Sequence, residues 1–285
     1  MLKNMFENKP TLSFEVFPPK KEGDFEAAYQ VLDDLGSLSP DFISVTYGAG
    51  GSRAGKTVEL ASYIQNRLGI DAVAHMTCVG NRREDLLKVA RALEENHVNH
   101  VLALRGDRPK DMTDEQFASR DFAHASDMME FLGTHTPLQM AGACYPEKHF
   151  ESFSMESDLN NLKKKQEAGA QFFISQLFFD NDYYYTFLEK AARKGIHAPI
   201  CAGIMPITSA RQISTTITLS GSSIPKALSD VIASYGDSPE DMRKAGIDYA
   251  IRQVRDLQEN GVNRLHIYTM NNPSTAREIA AAVAR

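Results

Sequence analysis

Val101-Leu102-Ala103-Leu104-Arg105-Gly106-Asp107 is an apolar run of strand length that stops at a cation, a glycine and a carboxylate. Arg-Gly-Asp also occurs by chance, or as an ion pair at a loop entry. The specific feature is its position at the end of an apolar run. Seven further apolar runs recur, and nearly all eight end in polar or charged residues: Leu12–Phe17, Phe42–Tyr47, Ala72–Cys78, Gln139–Tyr145, Phe172–Phe179, Ile200–Met205 and Arg264–Tyr268. Helix-like segments separate them. Eight strand-then-helix units in 285 residues predict an α/β fold, a (β/α)8 TIM barrel, with 1–285 forming one catalytic barrel domain. Active sites in that fold sit at the C-terminal strand ends. The positions to inspect are therefore Glu15, Thr46, Tyr47, His75, Thr77, Arg105, Asp107, Tyr145, Gln176 and Tyr268.

Thirty-one lysines and arginines stand against 37 aspartates and glutamates, a net charge of −6. That balance argues against non-specific nucleic-acid binding, which needs a basic face, but leaves room for a local phosphate pocket. Cys78, Cys144 and Cys201 are far apart and odd in number, which suits a reducing compartment. No Cys/His cluster suggests a metal site. The N-terminal MLKNMFENKP lacks the apolar stretch of a signal peptide, and no apolar run is long enough to span a membrane. The expected compartment is the cytoplasm.

Helical spacing predicts helices over about Asp24–Leu35 with Gly36 as C-cap, from the Gly48–Gly51 turn to Leu68 closed by Gly69, and over Arg83–Asn96 with Asn81 as N-cap candidate. Arg105–Ala123 lacks clear periodicity, and a long βα loop in a barrel is usually functional. Further helices are expected over Asp127–Gly133, Ser157–Ala168 (closed by Gly169), Asp180–Gly195 (capped by Asp180 or Asn181), Ser209–Leu219 and Ser274–Ala284. Gly221–Gly236 and Ser238 to about Asn260 exceed one unit's needs and read as extra helices before the last strand.

Several residues suit chemistry. Glu15 lies inside an apolar strand between phenylalanines, where desolvation is expected to raise its pKa and make it a general acid; the alternative is a structural pair with a buried cation. Asp158, Asn161 and Lys165 share one helix face behind Tyr145-Pro146-Glu147-Lys148-His149, which could hold a ribose and a phosphate or could simply be solvated. Gln176 reads as an amide in the middle of an apolar run, needing either a ligand or a structural partner.

One motif points elsewhere. Gly50-Gly51-Ser52-Arg53-Ala54-Gly55-Lys56-Thr57 matches the phosphate-binding loop G-x-x-x-x-G-K-[ST]. It keeps a nucleotide hydrolase open as a competing reading. Against it, a complete strand–helix unit precedes the motif, and eight units favour a closed barrel over an open sheet.

Taken together, SFEVFPP (13–19), VTYGAG (45–50), HMTC (75–78), ALRGD (103–107), YPEKH (145–149), DLNNLKKK (158–165), SQLFFD (175–180), GIMP (203–206) and HIYTMN (266–271) resemble the methylenetetrahydrofolate reductase family, in family order and over nearly the whole chain. The resemblance implies a flavoprotein oxidoreductase of one-carbon metabolism in which NADH or NADPH reduces FAD in a ping-pong cycle. The reduced flavin then converts 5,10-methylenetetrahydrofolate to 5-methyltetrahydrofolate for methionine biosynthesis, an amino-acid biosynthesis route. It also implies a homo-oligomer; the charge balance and the lack of a long apolar run, independently, lead to the expectation of no nucleic-acid or membrane partner.

By the same resemblance, Glu15 is the general acid at the folate nitrogen, and Asp107 tunes the flavin and holds the pterin. FAD contacts carry over as Tyr47, Ala49, His75, Arg105, Gly106, Asp107, Ala125, Tyr145, His149, Asp158, Asn161, Lys164 and Lys165. Thr46 matches a nicotinamide contact, and Gln176 and Gln212 match substrate contacts. The sequence departs from the family at Asn272, where arginine is expected, at Thr216, where an aromatic residue often stacks on the ligand, and at His124, where an aromatic residue usually precedes Ala125. No C-terminal regulatory domain, and hence no S-adenosylmethionine inhibition, is expected.

Overall fold

Alternation along the first strand sets the two faces of the sheet. In β1 (Thr11–Val16), Leu12, Phe14 and Val16 pack outward against the helices, while Thr11, Ser13 and Glu15 turn inward. The structure is a computed structural model and describes residues 5–6, 9–19, 25–47 and 52–283.

The strands after β1 are β2 (Phe42–Val45), β3 (Asp71–Thr77), β4 (His100–Leu104), β5 (Gln139–Cys144), β6 (Ala170–Ser175), β7 (Ile200–Ile204) and β8 (Arg264–Tyr268). All neighbours pair in parallel, and β8 closes on β1, so the expected eight-stranded barrel is formed. The helices are α1 (Phe25–Gly36), α2 (Ser52–Ser62, continued by a π-helical turn Tyr63–Leu68), α3 (Arg83–Glu95), α4 (Asp114–Ala118), α5 (Ala125–His135), α6 (Met155–Glu167), α7 (Asn181–Arg193), α8 (Ala210–Ser220), α9 (Lys226–Tyr235), α10 (Pro239–Glu259) and α11 (Pro273–Ala280). Gly69, at φ 68°, ends α2 in the left-handed conformation that glycine adopts without strain.

Phe42, Val73, Leu102, Phe172 and Ile174 fill the barrel, and Phe6 closes its N-terminal end with its ring 5.1 Å from that of Phe172. Polar side chains are left for the C-terminal end. The extra helices α9 and α10 pack Leu228 and Met242 over Leu177, Phe179 and Ile207, roofing the segments after β6 and β7.

Two local expectations are corrected. Asn81 does not cap α3; Arg82 holds that position, with its backbone N–H donating to Asp85 at 3.2 Å. Asn81 instead donates to the Thr77 carbonyl at 2.8 Å and accepts from the Tyr47 hydroxyl, because the chain turns inward there. The sixth strand is shorter than its apolar run and ends at Ser175. Gln176 thus lies just beyond the strand, with its N–H bonded to the Cys144 carbonyl at 2.7 Å. The apolar residues after it belong to the roof, not to the sheet.

Candidate active site

Parallel register brings Glu15 beside Ser44 on β2 and Tyr268 on β8, and Ser13 beside His266. The Glu15 side chain is only 18% exposed. Its Oε2 lies 3.4 Å from the Ser44 hydroxyl, 3.4 Å from His75 Nε2 and 3.6 Å from His266 Nε2. Burial alone would push the carboxyl up, as the sequence suggested. The close approach of the His266 and His75 rings outweighs burial and holds it at about 2. The expected raised pKa is therefore corrected: apolar neighbours in sequence lie on the outer face, and the inward carboxylate meets polar partners.

A cavity of about 800 Å³ opens beside this cluster, lined by Tyr47, Thr77, Arg105, Gly106, Asp107, Arg120, Tyr145 and His149 among others. Gly106 sits at φ 82°, and a Cβ there would come within 2.9 Å of the Thr77 Cβ. The turn after β4 therefore exposes bare backbone to the cavity. Arg105 makes a two-pronged ion pair with Glu151, donating from its second terminal nitrogen at 2.9 Å. Arg120 also lines the cavity and has a buried Nε without a hydrogen-bond partner. Such an orphaned cationic donor suits an anionic ligand.

Helix α6 behaves as its spacing predicted for three residues. Asp158 is buried, Asn161 and Lys165 are half-buried, and Lys164 faces solvent. Asp158 accepts from the Ser152 hydroxyl at 2.7 Å and the His149 N–H at 3.3 Å, fixing the loop after β5. Lys165 Nζ donates to the Ala143 carbonyl at 2.8 Å and lies 5.7 Å from the Tyr145 ring centre; burial lowers its pKa. The His149 ring meets Tyr145 edge-on, and its pKa is lowered by burial and then by Arg105.

The remaining candidates surround this centre. Thr46 follows β2, and its carbonyl accepts from Thr57 at 3.0 Å. Asp107 is exposed at the cavity rim, and Ala125 is buried at the start of α5. Gln176 Oε1 accepts from the next residue's N–H at 2.9 Å, so its amide is partly satisfied locally. Gln212 ties down the loop after β7, accepting from the Thr208 N–H at 3.0 Å and donating to the Pro206 carbonyl at 3.2 Å. Ala49 lies outside the described residues.

Ser13, Ser44 and His266 belong to the cluster but escaped sequence reasoning, as did Arg120 and Glu151 at the cavity. Period-two spacing was the available signal: Ser13 and Glu15, and likewise His266 and Tyr268, alternate with apolar residues and share the inward face. The three departures take structural roles. Asn272 caps α11, accepting from the Thr275 N–H at 3.1 Å; His124 holds the N-cap position of α5; Thr216 is buried against the Met205 sulfur.

The nucleotide-hydrolase reading is not supported by the closed sheet. Ser52–Thr57 opens α2, Lys56 Nζ donates to the Pro19 carbonyl at 3.0 Å and Thr57 is turned to Thr46; Gly50 and Gly51 lie outside the described residues. Among the described residues no helix is long and apolar enough to cross a membrane, and no group of three or more His, Cys, Asp or Glu is placed to hold a metal ion.

A carboxylate with two imidazoles at the C-terminal strand ends, and a cavity lined by Arg105, Asp107 and Arg120 at the same end of the barrel, place the candidate site where (β/α)8 enzymes carry theirs. Residues 1–284 match the family Methylenetetrahydrofolate reductase. The chain is 32% identical over 265 residues to 5,10-methylenetetrahydrofolate reductase of Pectobacterium carotovorum subsp. carotovorum, covering 93% of this chain and 87% of that one. It is 33% identical over 260 residues to the Escherichia coli K12 protein of the same name, covering 91% and 86%. Methylenetetrahydrofolate reductase (NADH) 1 of Arabidopsis thaliana is 33% identical over 283 residues, 95% of this chain and 48% of that longer protein. A solved Clostridium thermocellum protein, described as uncharacterized and binding two copies of 5-methyl-5,6,7,8-tetrahydrofolic acid, shares the fold at TM-score 0.65 and 14% identity, over 99% of this chain and 96% of that one. The chain belongs to the methylenetetrahydrofolate reductase family and is an oxidoreductase of folate one-carbon metabolism.

Proposed function

We propose that the chain is an FAD-dependent reductase that converts 5,10-methylenetetrahydrofolate to 5-methyltetrahydrofolate with NADH or NADPH, in a ping-pong cycle feeding methionine biosynthesis. The observation that carries this reading is the Arg105-Gly106-Asp107 turn, which opens onto the cavity at the C-terminal end of β4 in a chain of this family. The residues present fit the cofactor. Arg105 and the unpartnered Arg120 Nε offer positive charge to a diphosphate, and the missing Cβ of Gly106 lets a flat ring lie against backbone. FAD, when bound, supplies the centre that accepts and gives a hydride.

The chain's own residues would do the rest. Arg105, His149 and Lys165 would hold the diphosphate, with Asp158 and Asn161 toward the ribose and Lys164 nearby. Tyr47, Ala49, His75, Ala125 and Tyr145 would line the flavin. Asp107 would bias the flavin's potential and anchor the pterin. Thr46 would contact nicotinamide, Gln176 and Gln212 the substrate. Glu15 would give a proton to the folate nitrogen as the methylene bridge opens. We also propose a cytoplasmic homo-oligomer.

An absorption spectrum of the purified protein tests the reading. Flavin bands that bleach on anaerobic addition of NADH or NADPH, and return with methylenetetrahydrofolate, are the expected result. A colourless protein that takes up no added FAD overturns it.

A further inference from the structure

The loop after β5 holds one residue in a conformation that its side chain disfavours. Lys148 sits at φ 76°, in the left-handed region that glycine adopts freely and other residues only at a cost. Such a backbone persists where its surroundings over-determine it, often beside a ligand site. Here the residue's own ammonium does so. Lys148 Nζ donates to the carbonyls of His149 at 2.9 Å, Phe150 at 3.4 Å and Ser152 at 2.6 Å. Three donors meet three acceptors, and the loop closes around the cation.

The grip on Phe150 reaches the cavity through one peptide plane. The Phe150 carbonyl and the Glu151 N–H belong to the same planar unit, so fixing one aims the other. That N–H donates to His149 Nδ1 at 3.2 Å. A ring nitrogen that accepts carries no hydrogen, so neutral His149 holds its hydrogen on Nε2. The ring is kept neutral by burial and then by Arg105, both of which lower its pKa. Tyr145, edge-on at 4.7 Å, and Phe150, stacked at 4.6 Å, fix its plane. Among the described residues no acceptor meets Nε2, and His149 lines the cavity. Glu151 also pairs with Arg105 through its carboxylate, so the same loop sets two of the groups beside the cavity.

Resting on the proposed FAD reading, we infer that Lys148 is a positioning residue: acting through the Phe150–Glu151 peptide, it holds His149 as the Nε2–H form and so presents a neutral donor to a phosphate oxygen of the cofactor. The ammonium spends its three donors on the loop. The ring, not the lysine, meets the ligand.

The test uses the whole protein labelled with ¹⁵N-histidine, first without flavin and then titrated with FAD. Lys148→Met, Lys148→Arg and Lys148→Gly are compared, and His149→Gln assigns the signal. The unmodified protein is expected to show His149 as Nε2–H before any flavin is added. In Lys148→Met both tautomers appear, the other histidine signals stay in place, and FAD binds about tenfold more weakly, the scale of one charge-assisted bond. Lys148→Arg restores binding to within about threefold, since guanidinium donors can reach the same carbonyls. Lys148→Gly frees the backbone but lacks the cation, and is expected to bind FAD as weakly as Lys148→Met.

Nδ1–H in the unmodified protein overturns the inference. So does FAD affinity in Lys148→Met within about twofold of the unmodified protein, or full affinity in Lys148→Gly, which would show that the side chain is merely tolerated. An unmodified protein that shows Nε2–H yet takes up no FAD overturns the cofactor reading, and with it the role assigned to His149. Because the tautomer is read before flavin is added, the two failures are distinguishable.

Discussion

Arg105 and Glu151 face each other as a two-pronged ion pair at the cavity edge, with the arginine only 23% exposed and the glutamate 46%. Arg105 cannot give the same two donors to a diphosphate while it holds Glu151. Glu151 therefore competes with an anionic ligand for Arg105. Glu151→Gln is expected to tighten FAD binding by about three- to tenfold, with little change in stability, as for other exposed pairs. Flavin fluorescence titration measures this; weaker binding would mean that Glu151 holds Arg105 in its binding position instead.

Glu15→Gln should separate the two half-reactions. Flavin reduction is expected to survive, while reoxidation by methylenetetrahydrofolate slows by about 10²–10⁴-fold, the range for loss of a general acid. Anaerobic rapid mixing reads both steps. Unchanged reoxidation would remove Glu15 from the proton-donor role.

The same residue makes an acid-stability prediction. Its carboxyl ionises at about 2 in the fold against 4.5 when free, so its contribution is present above 4.5 and is lost as pH falls toward 2. Glu15→Gln should lose a few kcal/mol at neutral pH and show a flatter decline in that acid window. Urea unfolding across the pH series tests the slope; equal slopes would show that the imidazoles do not stabilise the carboxylate.

Lys165 and Lys164 are adjacent in sequence but differ in placement. Lys165 is turned inward to the Ala143 carbonyl and Lys164 is exposed. Lys165→Met is expected to weaken FAD binding by about ten- to a hundredfold, and Lys164→Met by less than about threefold, as charge-assisted bonds exceed exposed charges in strength. Equal losses would show that the outward charge is drawn into the site.

Gly246 on α10 leaves no room for a side chain, since a Cβ would lie 1.7 Å from the Ile207 carbonyl oxygen. Gly246→Ala must push α10 off the loop after β7. A loss of about 2–4 kcal/mol is expected, the scale of overpacking a tight contact. Thermal unfolding measures it. An unshifted midpoint would mean that the roof docks loosely.

The sequence by itself determined the barrel, because each apolar run had strand length and each intervening segment helical spacing, and that order leaves few ways to bury both. It also placed Arg105, Gly106 and Asp107 at a strand end, and Asp158, Asn161 and Lys165 on one helix face, since both are matters of local periodicity. It misread the state of Glu15. Its sequence neighbours Phe14 and Val16 lie on the opposite face of the sheet, while Ser44, His75 and His266 come from strands far along the chain. It ran β6 past Ser175 because apolar residues that cover a loop look the same as apolar residues in a sheet. The Glu15–His266 contact and the Arg105–Glu151 pair were decided only by barrel closure and loop packing, which bring together residues that no spacing along the chain connects.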